Sequence, residues 1–192
     1  MIELRTLGAL ELISAEGTPI RSVLAQSRRM ALLCYLALTR PSGFQSRDTL
    51  YALFWPEHDT AQGRHALRQS LYVLRRELGA NAIVSRGDGA LGLATDHVLC
   101  DAWEFERAVD EELFEKALAL YRGDSLAGFH VSDSVAFEHW LDAERTRLRE
   151  RAAEATWTFS EALAQAGQAA WAGNGRGVQP RSRLLTRPRS AA

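Results

Sequence analysis

The sequence predicts a mainly α protein with small β-sheets, and three observations support that prediction. Near the N-terminus, apolar and polar residues alternate with the period of a strand. Three amphipathic helical patterns follow and end in a glycine-rich hairpin, and longer helical patterns come after residue 100. With 192 residues, 46% hydrophobic and 24% charged, the chain has a globular composition and room for one or two domains.

Two strands open the predicted fold. They cover residues 2–7 and 9–13, are separated by Gly8, and end before the turn at residues 17–19. This arrangement predicts a small antiparallel sheet.

Three helices are predicted next. Ser27 is the expected N-cap of the first, over residues 28–38, and Ser46 that of the second, which ends before Trp55 and Pro56. The third has a capping-box pattern in Asp59 and Gln62 and a glycine C-cap at residue 79.

The third helix has two different faces. Four leucines share its predicted buried side: Leu67, Leu71, Leu74 and Leu78. The opposite side has no acidic residue and carries His65, Arg68, Gln69, Tyr72 and Arg76, with Arg64 and Arg75 on a flank.

A hairpin follows the third helix. Residues 82–85 and 91–93 read as its strands, and the Gly-rich turn at 86–90 carries Arg86. The order of elements predicts a trihelical core with a wing, which is a winged helix-turn-helix.

Residues beyond 100 read as helices. Asp101 with Glu104 forms a second capping-box pattern, two short helices follow, and a long helix begins near Ser134. The long helix has an apolar stripe that is expected to reach about Ala166: Phe137, Leu141, Leu148, Ala152, Ala155, Phe159 and Leu163.

The net charge of -1 conceals three segments of different sign. Residues 1–100 hold 11 Arg and 9 acidic residues, residues 101–166 hold 7 basic and 15 acidic residues, and residues 167–192 hold five Arg and no acid. Because a field of one sign favours a partner of the other, the segments are expected to have different roles.

Several runs in both halves resemble one bacterial family. The first half carries SRRMALL (27–33), SRDTL (46–50), LFWP (53–56), GRHALRQSL (63–71) and LRRELG (74–79). The second carries DAWEFE (101–106), YRGDSLAGF (121–129) and FEHWLDAER (137–145). Together they resemble the SARP class of antibiotic regulatory proteins, which joins an OmpR/PhoB-type winged helix to a bacterial transcriptional activator domain (BTAD).

The resemblance implies a domain plan and a set of partners. It implies a winged-helix DNA-binding domain at 1–98 and a partial, TPR-like activator domain at 101–166. Residues 167–192 depart from the family pattern, and their Gly, Pro, Ala, Ser and Arg content predicts a disordered basic tail. The change of composition near Gly167 also suggests a shifted reading frame, which resequencing would test. The implied partners are double-stranded promoter DNA, RNA polymerase and a second protomer on direct repeats. A membrane is not among the expected partners.

The residue types suit readout of B-DNA, whose major groove admits one α-helix. The predicted base-reading residues are His65, Arg68, Gln69 and Tyr72, because Arg can fork to guanine and Gln can pair with an adenine edge. The predicted phosphate and wing contacts are Arg28, Arg29, Arg47, Arg64, Arg75, Arg76 and Arg86. Arg28 and Arg29 have the alternative of only solvating a helix end.

The same sequence is compatible with two other functions. One alternative is an interaction scaffold that has lost DNA binding, and another is the regulatory fragment of an enzyme. The acidic faces after residue 100 fit either a docking surface for protein or a solvated exterior.

An enzyme, a cofactor and a metal site are not expected. The sequence has no Gly-rich phosphate loop with Lys, no His-Glu-x-x-His and no Gly-x-Ser-x-Gly. Its two cysteines, Cys34 and Cys100, lie among aliphatic residues and read as buried thiols. With no apolar run long enough to span a bilayer and no signal-like N-terminus, a cytoplasmic protein is expected.

Overall fold

A computed structural model of the protein describes residues 1–39, 43–132 and 134–174. In chain order its elements are β1 (Ile2–Arg5), β2 (Glu11–Ile13), α1 (Arg21–Leu24), α2 (Ser27–Leu38), β3 (Gln45–Ser46), α3 (Arg47–Phe54), α4 (Thr60–Leu78), β4 (Ile83–Arg86), β5 (Ala90–Leu93), β6 (Val98–Cys100), α5 (Asp101–Asp110), α6 (Phe114–Leu120) and α7 (Val135–Asn174). The prediction of a mainly helical fold with small sheets is confirmed. Residues 1–156 form one structural unit, and the part of α7 from Trp157 onward belongs to a second.

The first sheet joins the start of the chain to the strand that precedes α5. Its strand order is β2-β1-β6, with β1 antiparallel to β2, as predicted, and parallel to β6, which was not predicted. β1 also ends two residues earlier than expected, because the backbone N–H groups of Thr6 and Leu7 donate to the Asp101 carboxylate instead of to a neighbouring strand.

Asp101 corrects a second prediction. α5 begins at Asp101 with Cys100 as its N-cap, and no side chain caps it, so the capping box of Asp101 and Glu104 is wrong. The Asp101 carboxylate instead bonds residues about 95 positions earlier in the chain. Ser27 is likewise the first residue of α2 rather than its cap, since Gln26 occupies the N-cap position without a side-chain hydrogen bond.

The trihelical core consists of α2, α3 and α4. All residues from Met30 to Leu38 are buried, so α2 is surrounded by protein rather than buried on one face only. Ser46 caps α3 by accepting from the Thr49 N–H at 2.9 Å, as predicted. A Cβ built on Gly63 would lie 3.0 Å from the ring carbon Cδ2 of Tyr51, so α3 and α4 cross closely where α4 has no side chain.

The wing is the second sheet. β4 and β5 form the predicted antiparallel hairpin, with Ile83 opposite Leu93 and Arg86 opposite Ala90. The two-residue strand β3, which the sequence did not predict, pairs with β5 and gives the order β3-β5-β4.

An aromatic cluster packs the start of α7 against the helices of the trihelical core. Phe137 lies 5.4 Å from Phe54 between ring centroids, and Trp140 lies 4.7 Å from Tyr35. The Ser134 hydroxyl, just before α7, donates to the Leu53 carbonyl at 2.7 Å. These contacts tie the winged helix to the helices that follow it.

The segment that carries the run YRGDSLAGF (121–129) also has a structural role. Gly8 and residues 124–127 exchange backbone hydrogen bonds, and Leu126 N–H donates to the Thr6 carbonyl. From α7, Arg145 donates to the carbonyls of Ser125, Leu126 and Phe129. The run therefore joins the first sheet to the long helix.

α7 differs from its prediction in two respects. Its apolar stripe is buried from Phe137 to Ala155, but Leu163 is 57% exposed, so the buried stripe ends before the expected Ala166. The helix itself continues to Asn174, past the predicted start of the irregular tail at residue 167. Residues 175–192 of the predicted tail lie outside the described residues, and the predicted domain boundaries remain predictions.

None of the described helices combines the length and the apolar character that crossing a membrane requires.

Candidate nucleic-acid interface

The rotation of α4 about its axis is fixed by its buried leucines. Leu67, Leu71, Leu74 and Leu78 are all in the core, as predicted, and the Asp59 carboxylate caps the helix by accepting from the Gln62 N–H at 2.8 Å. The opposite side of the helix therefore faces solvent over its full length.

The four predicted base-reading residues lie together on that solvent-facing side. His65, Arg68, Gln69 and Tyr72 are all exposed, and they line one open, shallow depression. Tyr72 is 65% exposed although it is aromatic. A large aromatic side chain that is exposed beside Arg and Gln is typical of a surface that binds a partner.

A second depression lies where α3, α4 and the turn of the wing meet. Three arginines line it, together with two carboxylates: Arg47, Arg64, Arg68, Asp48 and Asp88. Arg64 forms an ion pair with Asp48 at 3.4 Å, and both side chains are mostly exposed, so the pair is a weak one.

Arg75 fastens α4 to the wing. Its Nε and Nη2 atoms donate to the Ile83 carbonyl of β4 at 3.2 and 3.1 Å, and Nη2 also donates to the Ser85 hydroxyl at 3.2 Å. Arg47, at the start of α3, donates to the same hydroxyl at 3.2 Å. Burial, and after it the positive charge of Arg75, lower the pKa of the Arg47 guanidinium.

Arg86 lies on the wing, where the sequence placed it. Its guanidinium carbon is 4.0 Å from the centroid of the Phe44 ring, which is a cation–π contact. Gly92 makes room for this ring, since a Cβ there would approach the Gly43 carbonyl and Phe44. Phe44 thus holds the exposed Arg86 side chain in one orientation.

The remaining predicted phosphate contacts lie apart from this group. Arg28 forms an ion pair with Glu57 at 2.6 Å, and Arg76 forms one with Glu77 at 2.7 Å. Arg29 is half-buried, and its Nε has no hydrogen-bond partner among the described residues. The structure therefore brings together Arg47, Arg64, Arg68, Arg75 and Arg86 around α4 and the wing, and leaves Arg28, Arg29 and Arg76 outside that group.

Sequence reasoning missed Phe44 and Ser85. Neither residue belongs to a periodic pattern, and each gains its contacts only when the hairpin folds back toward the start of α3. The sequence offered one signal. Gly43 precedes Phe44, and Gly92 lies in the second strand of the hairpin, so neither position carries a bulky side chain.

The described residues contain no group of three or more His, Cys, Asp or Glu side chains that is arranged to hold a metal ion. Cys34 and Cys100 are buried free thiols, as the sequence indicated. Burial raises the pKa of the Cys100 thiol to about 12, so at neutral pH it is protonated.

Two comparisons with known proteins match this architecture. Residues 100–174 match the family described as the bacterial transcriptional activator domain. The structure of Mycobacterium tuberculosis EmbR, determined in complex with a low-affinity phosphopeptide, is similar to this chain with a TM-score of 0.64 and 22% sequence identity. The similarity covers 88% of this chain and 47% of the EmbR chain, so this protein spans about half the length of that relative.

At that identity the EmbR match establishes the fold. Among curated proteins, no sequence match to this chain was found. The fold and the domain match together agree with the predicted arrangement, in which a winged helix precedes a region that matches the bacterial transcriptional activator domain.

Proposed function

We propose that the protein is a sequence-specific DNA-binding transcriptional regulator that activates by recruiting RNA polymerase. The observation that supports the proposal most strongly is the exposed, acid-free face of α4 beside a wing that carries its own arginine. In B-DNA the major groove accepts one helix, and the flanking phosphates attract arginines on both sides of it.

The proposed contacts divide into two classes. His65, Arg68, Gln69 and Tyr72 enter the major groove and read base edges, because they share one depression on the exposed side of α4. The arginines around the wing contact backbone phosphates, and Arg86, stacked on Phe44, reaches the adjacent minor groove.

Recruitment of polymerase is proposed for the acidic half of the chain. The outer faces of the helices after residue 100 carry most of its acidic residues, and the loop between α3 and α4 belongs to the same unit. Two protomers on direct repeats would present two such surfaces in the same orientation. Run-off transcription with purified polymerase, with and without the protein, tests this part.

DNA binding is tested by gel-shift titration at two salt concentrations. The probe is a duplex selected by the wild-type protein from a library with a randomised core. We expect the variant Arg68→Ala/Tyr72→Ala to lose at least about tenfold in affinity and most of its preference for the selected duplex, since each lost base contact removes about 1–3 kcal/mol. Arg107→Ala is the matched control, because Arg107 is an exposed arginine that pairs with Glu104 on α5.

The affinity of the wild type should also fall steeply with salt, because phosphate contacts release counterions. A folded wild type that selects no duplex, or that binds without salt dependence, would reject the proposal and favour an interaction scaffold.

A further inference from the structure

We propose that Arg47, Arg75 and Ser85 form one binding site for a single backbone phosphate of DNA. The sequence suggested the two arginines as separate phosphate contacts and did not point to the serine. The inference rests on the proposed DNA binding and adds to it a defined site, which we call the wing-root site, where α3, α4 and β4 meet.

The hydrogen bonds of Ser85 leave its own proton available. Nη2 of Arg47 and Nη2 of Arg75 both donate to the Ser85 Oγ at 3.2 Å. A serine hydroxyl has two acceptor positions and one donor, so two incoming N–H groups fill its acceptor positions. Ser85 is exposed, and its O–H is therefore free to donate to an anion that approaches from solvent.

The charge at the site calls for an anion. Two guanidinium groups share a neutral acceptor, and the Arg47 Nε atom is buried without an acceptor among the described residues. Asp88 is the acidic residue that acts on Arg47, but no ion pair between the two is formed within the described part of the chain. A phosphate oxygen between the two guanidinium groups would offset their repulsion and accept from both.

The site is held in place before a ligand arrives. Arg75 is anchored through two hydrogen bonds to the Ile83 carbonyl, and the Arg47 backbone N–H donates to the Gly89 carbonyl at 2.8 Å. Little side-chain freedom remains to be lost on binding, which favours a strong contact from few groups.

Its position fits a DNA phosphate. Arg47 lines the open depression between α4 and the wing turn together with Arg68, and we place Arg68 in the major groove. The two contact surfaces of the proposed complex, α4 and the wing, are separated by the strand of backbone that passes over this depression. A phosphate of that backbone is the anion within reach.

The test gives the protein its own negative charge at the wing-root site. In Ser85→Glu the new carboxylate lies between the two arginines and competes with the phosphate. We expect the affinity for the selected duplex to fall at least about tenfold and the slope of log affinity against log salt to decrease by about one. The melting temperature should stay unchanged or rise, because the carboxylate relieves the repulsion between the arginines.

Ser132→Glu is the matched control, since it makes the same change in net charge at an exposed serine before α7. It should bind DNA nearly as the wild type does. Equal affinities of Ser85→Glu and Ser132→Glu, with the wild type still binding its duplex, would overturn the wing-root site and leave the proposed function standing. A wild type that binds no duplex would overturn both.

A second measurement does not depend on the folding of Ser85→Glu. Methylphosphonate groups, which carry no charge, replace the phosphates of the selected duplex one position at a time. At one position the replacement should weaken the wild type but not Arg47→Gln, since the contact is already lost in that variant. If every replacement weakens both proteins equally, the site is wrong.

Discussion

At the scale of single residues, the Asp101 side chain joins segments that lie far apart in the sequence. Its carboxylate, 6% exposed, accepts from the Thr6 N–H at 2.7 Å, the Thr6 hydroxyl at 2.9 Å, the Leu7 N–H at 3.0 Å and Arg122 at 3.3 Å. Four donors on two oxygens satisfy a buried charge, which is otherwise costly. One side chain thus fixes the end of β1, the start of α5 and the segment before residue 124.

Asp101→Asn should therefore destabilise the protein by about 2–4 kcal/mol. The amide has a single acceptor oxygen, and its NH₂ group faces donors that then lack a partner. Urea denaturation measures the change, with Asp96→Asn as the control because its side chain is 81% exposed. Equal midpoints for the two variants would contradict the role of Asp101.

At the scale of elements, α4 combines a buried leucine stripe with the exposed face that we propose binds DNA. The Asp59 cap fixes where the helix begins, and all four base-reading candidates lie within its first thirteen residues. The cap therefore affects both the stability of the helix and the position of those residues.

Asp59→Ala should cost about 1 kcal/mol, because a helix N–H loses its partner, and it should also weaken binding to the selected duplex. Asp59→Ser, which keeps an acceptor, should restore most of both. Urea denaturation and gel-shift titration give the two values. If Asp59→Ser lost as much stability and as much affinity as Asp59→Ala, the hydrogen bond of the cap would contribute to neither property.

Elements with a local signal could be predicted from sequence, and elements without one could not. Periodicity and caps locate α3, α4 and the β4–β5 hairpin to within a few residues. β3 and β6 are two and three residues long, too short for a pattern, and each exists only through pairing with a distant strand. Asp101 resembled a helix cap because a carboxylate accepts equally well from a local or a distant N–H.

The candidate site also has a part that the sequence predicts and a part that it does not. The exposed face of α4 follows from helical geometry once the leucines are known to be buried. The convergence of Arg47 and Arg75 on Ser85, and of Arg86 on Phe44, depends on how the hairpin folds back, which the spacing of residues does not specify.

At the scale of the whole molecule, residues 1–156 are one unit rather than two that touch loosely. The aromatic contacts of Phe137 and Trp140 join α7 to α2 and α3. Trp103 of α5 donates from its indole Nε1 to the Ala37 carbonyl at 2.7 Å, and Arg147 bridges Glu106 and Glu144 between α5 and α7. The winged helix is therefore expected to unfold together with the helices up to Thr156.

Phe137→Ala should lower the free energy of unfolding by about 3–5 kcal/mol, since a fully buried ring leaves a cavity. The loss should be the same by far-UV circular dichroism and by tryptophan fluorescence, in one transition. Val135→Ala, at an exposed position of the same helix, is the control. Two separate transitions, with only one shifted, would show that the halves unfold independently.

The glycine at position 63 has a consequence for how this protein can change over time. It lets α3 and α4 approach closely on the buried side, whereas the candidate base-reading residues line an open depression on the exposed side of α4. With the DNA contacts that we propose, folding and recognition depend on separate side chains of one helix. Exchange of His65, Gln69 or Tyr72 would then change the target without repacking the core, whereas a side chain at position 63 would disturb the packing of α4 against α3 and with it the position of all three residues.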